Sequence, residues 1–212
     1  MKKEFALKPE KFTENYPGEL SMFSWMDFLV GIPSPICVVT GYKSNGTENA
    51  TVQSWVNFIS DMDEFICIFG GVNKNGHMYA SLKETGGCVI NFPSAAVYPL
   101  CKKTIENNKF ELDEITVSGL TAEKGITVNA PRIKECFLNI ECEYLWEQQN
   151  IEGSNHVVMA VKAKHISMDA DYFDETKLGR YGKTGFIYNI NSPRNPETGA
   201  VFNASLGVIE TL

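Results

Sequence analysis

Short runs of apolar residues, separated by turn-forming residues, fill most of the chain after residue 33. Apolar runs at 36–40 and 49–53 flank Ser44-Asn45-Gly46, an arrangement that predicts a β-hairpin. Similar runs predict strands over 64–69, 87–92, 136–146 and 156–163, and three- to four-residue spacing predicts helices over 76–85 and 95–107. These elements predict a mainly β fold with helical insertions, an antiparallel barrel rather than a doubly wound parallel sheet.

The two ends of the chain lack this strand pattern. Residues 1–20 are polar, and apolar residues recur at helical spacing over 22–29, which predicts an extended leader followed by a short helix. The chain becomes polar and rich in Gly and Pro over 167–199, which predicts a long loop region held against a partner or a ligand. The predicted organisation is an N-terminal extension and helix over 1–32, one domain over 33–190 and a tail over 191–212.

Charge and cysteine usage narrow the classes of partner. The chain has 26 acidic and 19 basic residues, and the resulting net charge of −7 disfavours capture of nucleic acid or of an anionic membrane. Its 6 cysteines are scattered without metal-ligand spacing, which favours buried free thiols over a metal site. Because no run approaches the roughly 20 apolar residues of a membrane span and no apolar signal core is present, we expect a cytoplasmic protein.

The chain lacks the dinucleotide-binding, P-loop, nucleophile-elbow and zinc-protease motifs, so no catalytic residue is predicted. One segment suits binding of a flat ring. Ser54, Trp55, Val56 and Asn57 follow a predicted strand as an apolar loop, whose backbone could bind the edge of a planar ring while the indole excludes water. Ordinary core packing of Trp55 is an equally good interpretation.

A second segment suits binding of an anion. Gly70-Gly71, where the backbone can turn sharply or approach a ligand closely, precedes Asn73-Lys74-Asn75-Gly76-His77 at the start of a predicted helix. Free amides at a helix start and one lysine together form a suitable phosphate cradle. The same composition is also common in solvated turns, so both interpretations stay open.

An ordered series of blocks resembles the flavin reductase and flavoredoxin family over about residues 33–190. The blocks are 35–40, 46–57, 86–93, Lys109-Phe110, 131–136 and 140–143. The resemblance implies a Greek-key FMN-binding split β-barrel that forms a homodimer and holds FMN in a groove between its subunits.

By position, the resemblance assigns four groups of FMN-binding residues. The isoalloxazine edge would be lined by Ser54, Trp55, Val56 and Asn57. The phosphate would be approached by Lys74, Asn75 and His77, with Ser81 one turn further on. Asn91 would end a strand beside the cofactor, and Lys109 would reach FMN from its own or the partner subunit. The family often has arginine and threonine in the phosphate segment, where this chain has Lys74 and Met78. We therefore expect a modest affinity for FMN, with backbone amides supplying more of the binding.

The function implied is hydride transfer from NADH or NADPH to bound FMN, followed by reduction of free flavin, a ferric chelate or a redox protein partner. An electron carrier of the flavoredoxin type, reduced by a partner protein, is the first alternative, and the sequence does not separate it from a reductase. A β-barrel binding module without flavin is the second alternative.

Overall fold

A computed structural model of the chain describes residues 2, 4, 32–173, 180–190, 198 and 206–210. The chain divides into two compact units, one formed by Met1–Ser34 with Tyr188–Gly207 and the other by Pro35–Ile187 with Val208–Leu212. The second unit holds all the longer elements that the structure describes. The helix predicted over 22–29 lies outside the described residues, as do 174–179, 191–197 and 199 of the loop region predicted over 167–199. The described part of that region contains a short helix, a 3-10 turn and a short strand.

Twelve strands are present in the described parts of the chain. They are β1 (Ser34–Pro35), β2 (Cys37–Tyr42), β3 (Glu48–Gln53), β4 (Val56–Asp61), β5 (Glu64–Asn73), β6 (Gly87–Phe92), β7 (Ala122–Lys124), β8 (Pro131–Ile133), β9 (Leu138–Gln148), β10 (His156–Met168), β11 (Ile187–Asn189) and β12 (Leu206–Val208). The helices are α1 (His77–Thr85), α2 (Tyr98–Glu106), α3 (Glu114–Val117) and α4 (Ala170–Phe173), with a 3-10 turn at Gly182–Thr184.

Seven strands form one antiparallel sheet in the order β3-β2-β6-β9-β10-β5-β4. The two longest, β9 with 11 residues and β10 with 13, lie inside the sheet. β3 and β4 are its edge strands. Every residue of β6 is buried, because this strand is covered by neighbours on both sides and both faces. The mainly β class with helical insertions is therefore confirmed.

The core consists of aliphatic and aromatic side chains from the sheet, with α1 packed against it through Met78 and Leu82. All 6 cysteines are buried free thiols, as predicted. Among the described residues, no group of histidine, cysteine, aspartate and glutamate side chains is arranged to hold a metal ion. None of the described helices is long and apolar enough to span a bilayer.

Two predictions of local structure are wrong. The segment after Gln53 is not an apolar loop: only Ser54 and Trp55 connect β3 to β4, which is a strand paired with β5. The chain does not reverse at Gly70-Gly71, because β5 continues through both glycines to Asn73. Gly71 has a φ of +74°, a conformation that favours glycine, and it lies beside the indole of Trp55, where an added Cβ would be in ordinary contact at 3.6 Å from Cε3.

Candidate functional site

The start of α1 presents backbone amides that no side chain caps. Gly76 is the N-cap residue in an extended conformation, and no side chain accepts a hydrogen bond from the first turn. The preceding turn is tightened locally, since the Asn75 N–H donates to Asn73 Oδ1 over 3.0 Å and the Gly76 N–H donates to Asn73 O over 3.0 Å. The first turn contains no acidic residue, so the positive end of the helix dipole is not neutralised there.

Lys74 and Asn75 lie in this turn and are accessible. Asn75 is exposed, while Lys74 is half-buried and donates from Nζ to Gln149 Oε1 over 3.2 Å. The Lys74 backbone N–H donates to Asn155 O over 2.8 Å, which anchors the turn to the β9–β10 hairpin. The partner of the Lys74 ammonium group, the Gln149 side chain, is uncharged, so the lysine can exchange this hydrogen bond for one to an anion.

The Trp55 segment lies against β5. Trp55 O accepts a hydrogen bond of 2.8 Å from the Gly70 N–H, and the indole packs against Gly71 while leaving 50% of the residue exposed. Val56 is buried and begins β4, whereas Asn57 is exposed and its Oδ1 accepts from the Phe58 N–H over 2.9 Å. The backbone of Trp55 is therefore held by a hydrogen bond, while half of the residue is open to solvent.

One contact brings the Trp55 segment close to the start of α1. Gln53, the last residue of β3, lies with its Nε2 atom 3.4 Å from the sulfur of Met78 in the first turn of the helix. Ser54 follows directly and is half-buried. The two segments that the sequence singled out therefore adjoin through β5 and through Gln53, as one site requires.

A buried ion pair, Lys43 with Glu114, lies beneath His77. The Lys43 Nζ and Glu114 Oε1 atoms are 2.9 Å apart, and their side chains are 2% and 0% exposed. His77 Nδ1 lies 3.3 Å from the same Oε1, and Glu114 Oε2 accepts from the Ala50 N–H over 2.9 Å. The carboxylate therefore joins β3, α1 and the residue that follows β2.

The same ion pair anchors the loop that carries Lys109. Lys43 Nζ donates to Lys109 O over 2.8 Å and to Leu112 O over 2.7 Å. The Phe110 ring packs at a tilt against His77, with 6.1 Å between ring centroids, while the Lys109 side chain is exposed. His77 thus lies at the surface beside the loop that carries Lys109. Sequence reasoning missed Lys43 and Glu114, because neither belongs to a local motif and their pairing is long-range.

The structure does not bring Ser81 and Asn91 to that surface. Ser81 is 2% exposed and faces β2, where a Cβ on Gly41 would lie 3.1 Å from its own Cβ. Asn91 is 0% exposed. Its Nδ2 donates to Val38 O over 2.9 Å, and its Oδ1 accepts from the Ile133 N–H and from Asn139 Nδ2, each over 2.9 Å. Both side chains are surrounded by protein.

This arrangement fits a flavin with a phosphate tail. A half-exposed indole beside an edge strand suits a flat ring, and uncapped helix amides flanked by Lys74, His77 and Lys109 suit a dianion. No carboxylate lies in the first turn to repel that anion, and the carboxylate of Glu114 is neutralised by Lys43.

Comparisons with known proteins agree with this chemistry. The family model of the flavin reductase like domain matches residues 29–185. A protein of Methanothermobacter thermautotrophicus is 25% identical over 96 residues, which are 44% of this chain and 45% of that protein. The chain thus matches about half the length of this curated relative.

Three solved structures share the fold at low sequence identity. Flavoredoxin of Desulfovibrio vulgaris is 16% identical with a TM-score of 0.63, and the match covers 85% of this chain and 89% of that one. A split-barrel protein of Shewanella frigidimarina is 13% identical with a TM-score of 0.69, covering 95% and 97%. An NADH:FAD oxidoreductase of Streptomyces globisporus is 14% identical with a TM-score of 0.59, covering 76% and 88%.

At these identities the structural likeness shows the fold, which is the split β-barrel. The family match covers well over half of the chain and includes every element that forms the candidate site. The chain belongs to the flavin reductase like domain family.

Proposed function

We propose that the protein binds FMN and acts as an NAD(P)H-dependent reductase of free flavin or ferric chelates. The observation that carries this proposal is the continuity of the site along one strand: β5 packs Gly71 against the exposed indole of Trp55 and leads directly into the uncapped start of α1. A ring platform beside β5 and an anion cradle at the start of α1 therefore follow each other along the chain, separated by one short turn.

Ser54, Trp55, Val56 and Asn57 would hold the ring. The indole provides an apolar contact surface that excludes water, and the edge strand β4 offers backbone groups that have no strand on their outer side in the described sheet. Val56 contributes through its backbone, since its side chain is buried. Asn57 contributes an exposed amide.

Lys74, Asn75, His77 and Lys109 would hold the phosphate. The amides of the first turn of α1 supply hydrogen-bond donors, and the two lysines supply positive charge without the bidentate geometry of arginine. We leave the buried side chains of Ser81 and Asn91 out of the binding set and assign them to the core beneath it.

A bound flavin supplies the redox chemistry, because its ring accepts a hydride and releases electrons one or two at a time. The chain's own residues need only bind, orient and shield the ring, which agrees with the absence of a catalytic motif in the sequence. Trp55 would lie against the ring, and a nicotinamide bound on the other side would be brought to it by binding alone.

The test uses purified protein loaded with FMN under nitrogen. A reductase loses its yellow colour within seconds to minutes after addition of NADH or NADPH, and the absorbance near the flavin maximum measures the rate. Persistence of the colour with both nucleotides would overturn the reductase assignment. A colourless protein that cannot be reconstituted with FMN would instead overturn flavin binding itself and favour the binding module.

A second candidate, an electron carrier reduced by a partner protein, is supported by the likeness to flavoredoxin of Desulfovibrio vulgaris. The same experiment separates it, since a carrier keeps its colour with pyridine nucleotides and loses it with dithionite. Because one structural relative is an NADH:FAD oxidoreductase, chromatography of the extracted cofactor should accompany the assay. FMN is expected, and FAD would contradict the phosphate assignment made above.

Lys74→Ala tests the phosphate cradle. The variant should weaken FMN binding about fivefold to tenfold, because one partly exposed charge contact is lost, and should leave the affinity for riboflavin, which has no phosphate, unchanged. Lys164→Ala on β10 is the matched control and should change neither affinity. Equal losses for FMN and riboflavin would remove Lys74 from the phosphate site.

We further propose that the protein is a homodimer. In one chain the edge strand β4 leaves Trp55 and Ile59 50% and 42% exposed, an apolar edge that a second copy would cover. Light scattering at micromolar concentration should give a dimer, and a monomer would contradict this. The cytoplasmic location stays a prediction.

A further inference from the structure

His77 faces a buried carboxylate with only one of its two ring nitrogens. Nδ1 lies 3.3 Å from Glu114 Oε1, whereas Nε2 has no hydrogen-bond partner among the residues that the structure describes. The His77 side chain is 27% exposed. One nitrogen is therefore engaged with the interior and the other is available at the candidate phosphate site.

Glu114 is held as a hydrogen-bond acceptor by its other partners. The Lys43 ammonium group donates to Oε1 over 2.9 Å, and the Ala50 N–H donates to Oε2 over 2.9 Å. A carboxylate has no hydrogen to donate, so a hydrogen bond between Glu114 and His77 requires that Nδ1 carry the proton. Neutral His77 is therefore the Nδ1–H tautomer, and Nε2 is the atom that gains or loses a proton.

Phosphate oxygens of a dianion are likewise acceptors only. The lone pair of a neutral Nε2 would repel them, whereas a protonated Nε2 donates a charge-assisted hydrogen bond to them. We infer that Glu114 is a positioning residue, which orients His77 so that a proton is taken up at Nε2 when the phosphate of FMN binds. This inference rests on the proposed function and adds to it a dependence of cofactor affinity on pH.

The other charged groups around His77 do not supply that dependence. Glu114 and Lys43 lie beneath the ring, Lys109 extends from the loop beside it, and Lys74 precedes it in the turn. Lysine side chains keep their charge to about pH 10, whereas histidine ordinarily titrates near about pH 6.5, and the phosphate is almost fully ionised above about pH 7.

The experiment measures dissociation constants for FMN and riboflavin by fluorescence titration of the full chain between pH 7 and 9. For the unmodified protein, FMN affinity should fall about threefold to tenfold as pH rises across this range, while riboflavin affinity stays constant. His77→Gln should remove the pH dependence for FMN, and the matched control His165→Gln on β10 should retain it. Glu114→Gln should weaken the pH dependence, because the amide can donate as well as accept.

A direct readout of the tautomer needs no flavin. Nitrogen-15 NMR of the flavin-free protein should assign the Nδ1–H tautomer to neutral His77, which keeps the inference testable if Glu114→Gln fails to fold. The Nε2–H tautomer, or FMN affinity that is constant with pH while FMN still binds, would overturn the inference alone. Failure to bind either flavin at any pH would overturn the proposed function with it.

Discussion

Removing the positive charge of Lys43 should strongly destabilise the protein. In Lys43→Met a side chain of similar length and flexibility replaces the lysine, so little volume is lost. Glu114, which is 0% exposed, would then keep only the His77 ring and the Ala50 N–H as partners, and the carbonyl groups of Lys109 and Leu112 would each lose a donor. Breaking a buried pair by removing one partner typically costs about 3–5 kcal/mol, because the remaining charge is uncompensated.

That cost corresponds to a measurable fall in melting temperature. For a chain of this size each kcal/mol shifts the midpoint by about 2–4 °C, so a decrease of roughly 6–20 °C is expected in thermal unfolding followed by circular dichroism. The matched control is Lys162→Met, since Lys162 also forms ion pairs, with Glu64 and Glu143, at 3.4 Å each. Those partners are 50% and 42% exposed, so the control should melt close to the unmodified protein.

The combination with Glu114→Gln tests the coupling. Because the two residues are in contact, the double variant should lose less stability than the sum of the single variants. Equal melting temperatures for Lys43→Met and Lys162→Met would refute the argument from burial, and strict additivity in the double variant would refute the pairing itself.

Two further predictions concern the core. Glu141 is buried and accepts from the Ile126, Thr127 and Val128 N–H groups; burial opposes its ionisation, but these hydrogen bonds prevail and hold its pKa below the ordinary 4.5. The contribution of the Glu141 carboxylate to stability should therefore be fully present above pH 4.5 and be lost as pH falls through the lowered pKa. Glu141→Gln should cost about 1–3 kcal/mol in urea unfolding at pH 7 and less in acid. An equal cost at both pH values would contradict this. None of the 6 thiols should react promptly with a disulfide reagent until the protein is denatured, since all are buried and burial raises the pKa of Cys88 to about 12. Prompt reaction of the native protein would contradict this prediction.

Local pattern was sufficient for much of the fold. The predicted strand over 87–92 coincides with β6, and the predicted helix over 76–85 differs from α1 by one residue at its start. These boundaries are encoded locally, since apolar runs, turn residues and the glycines at each end of the element all lie within a few positions of it. Burial of the thiols was also evident from the apolar runs in which several of them occur.

Only the tertiary structure decided the contacts between segments distant in sequence. β4 is a strand because it pairs with β5, and β5 continues through Gly70-Gly71 beside Trp55 because Gly71 adopts a φ of +74°; the apolar pattern of neither segment reveals this. The Lys43–Glu114 pair and the buried amide of Asn91 depend in the same way on neighbours far along the chain. The sequence by itself therefore determined which segments are strands or helices and which residue types are available for flavin chemistry. Packing alone selected which side chains reach the surface, because burial depends on the whole assembled sheet.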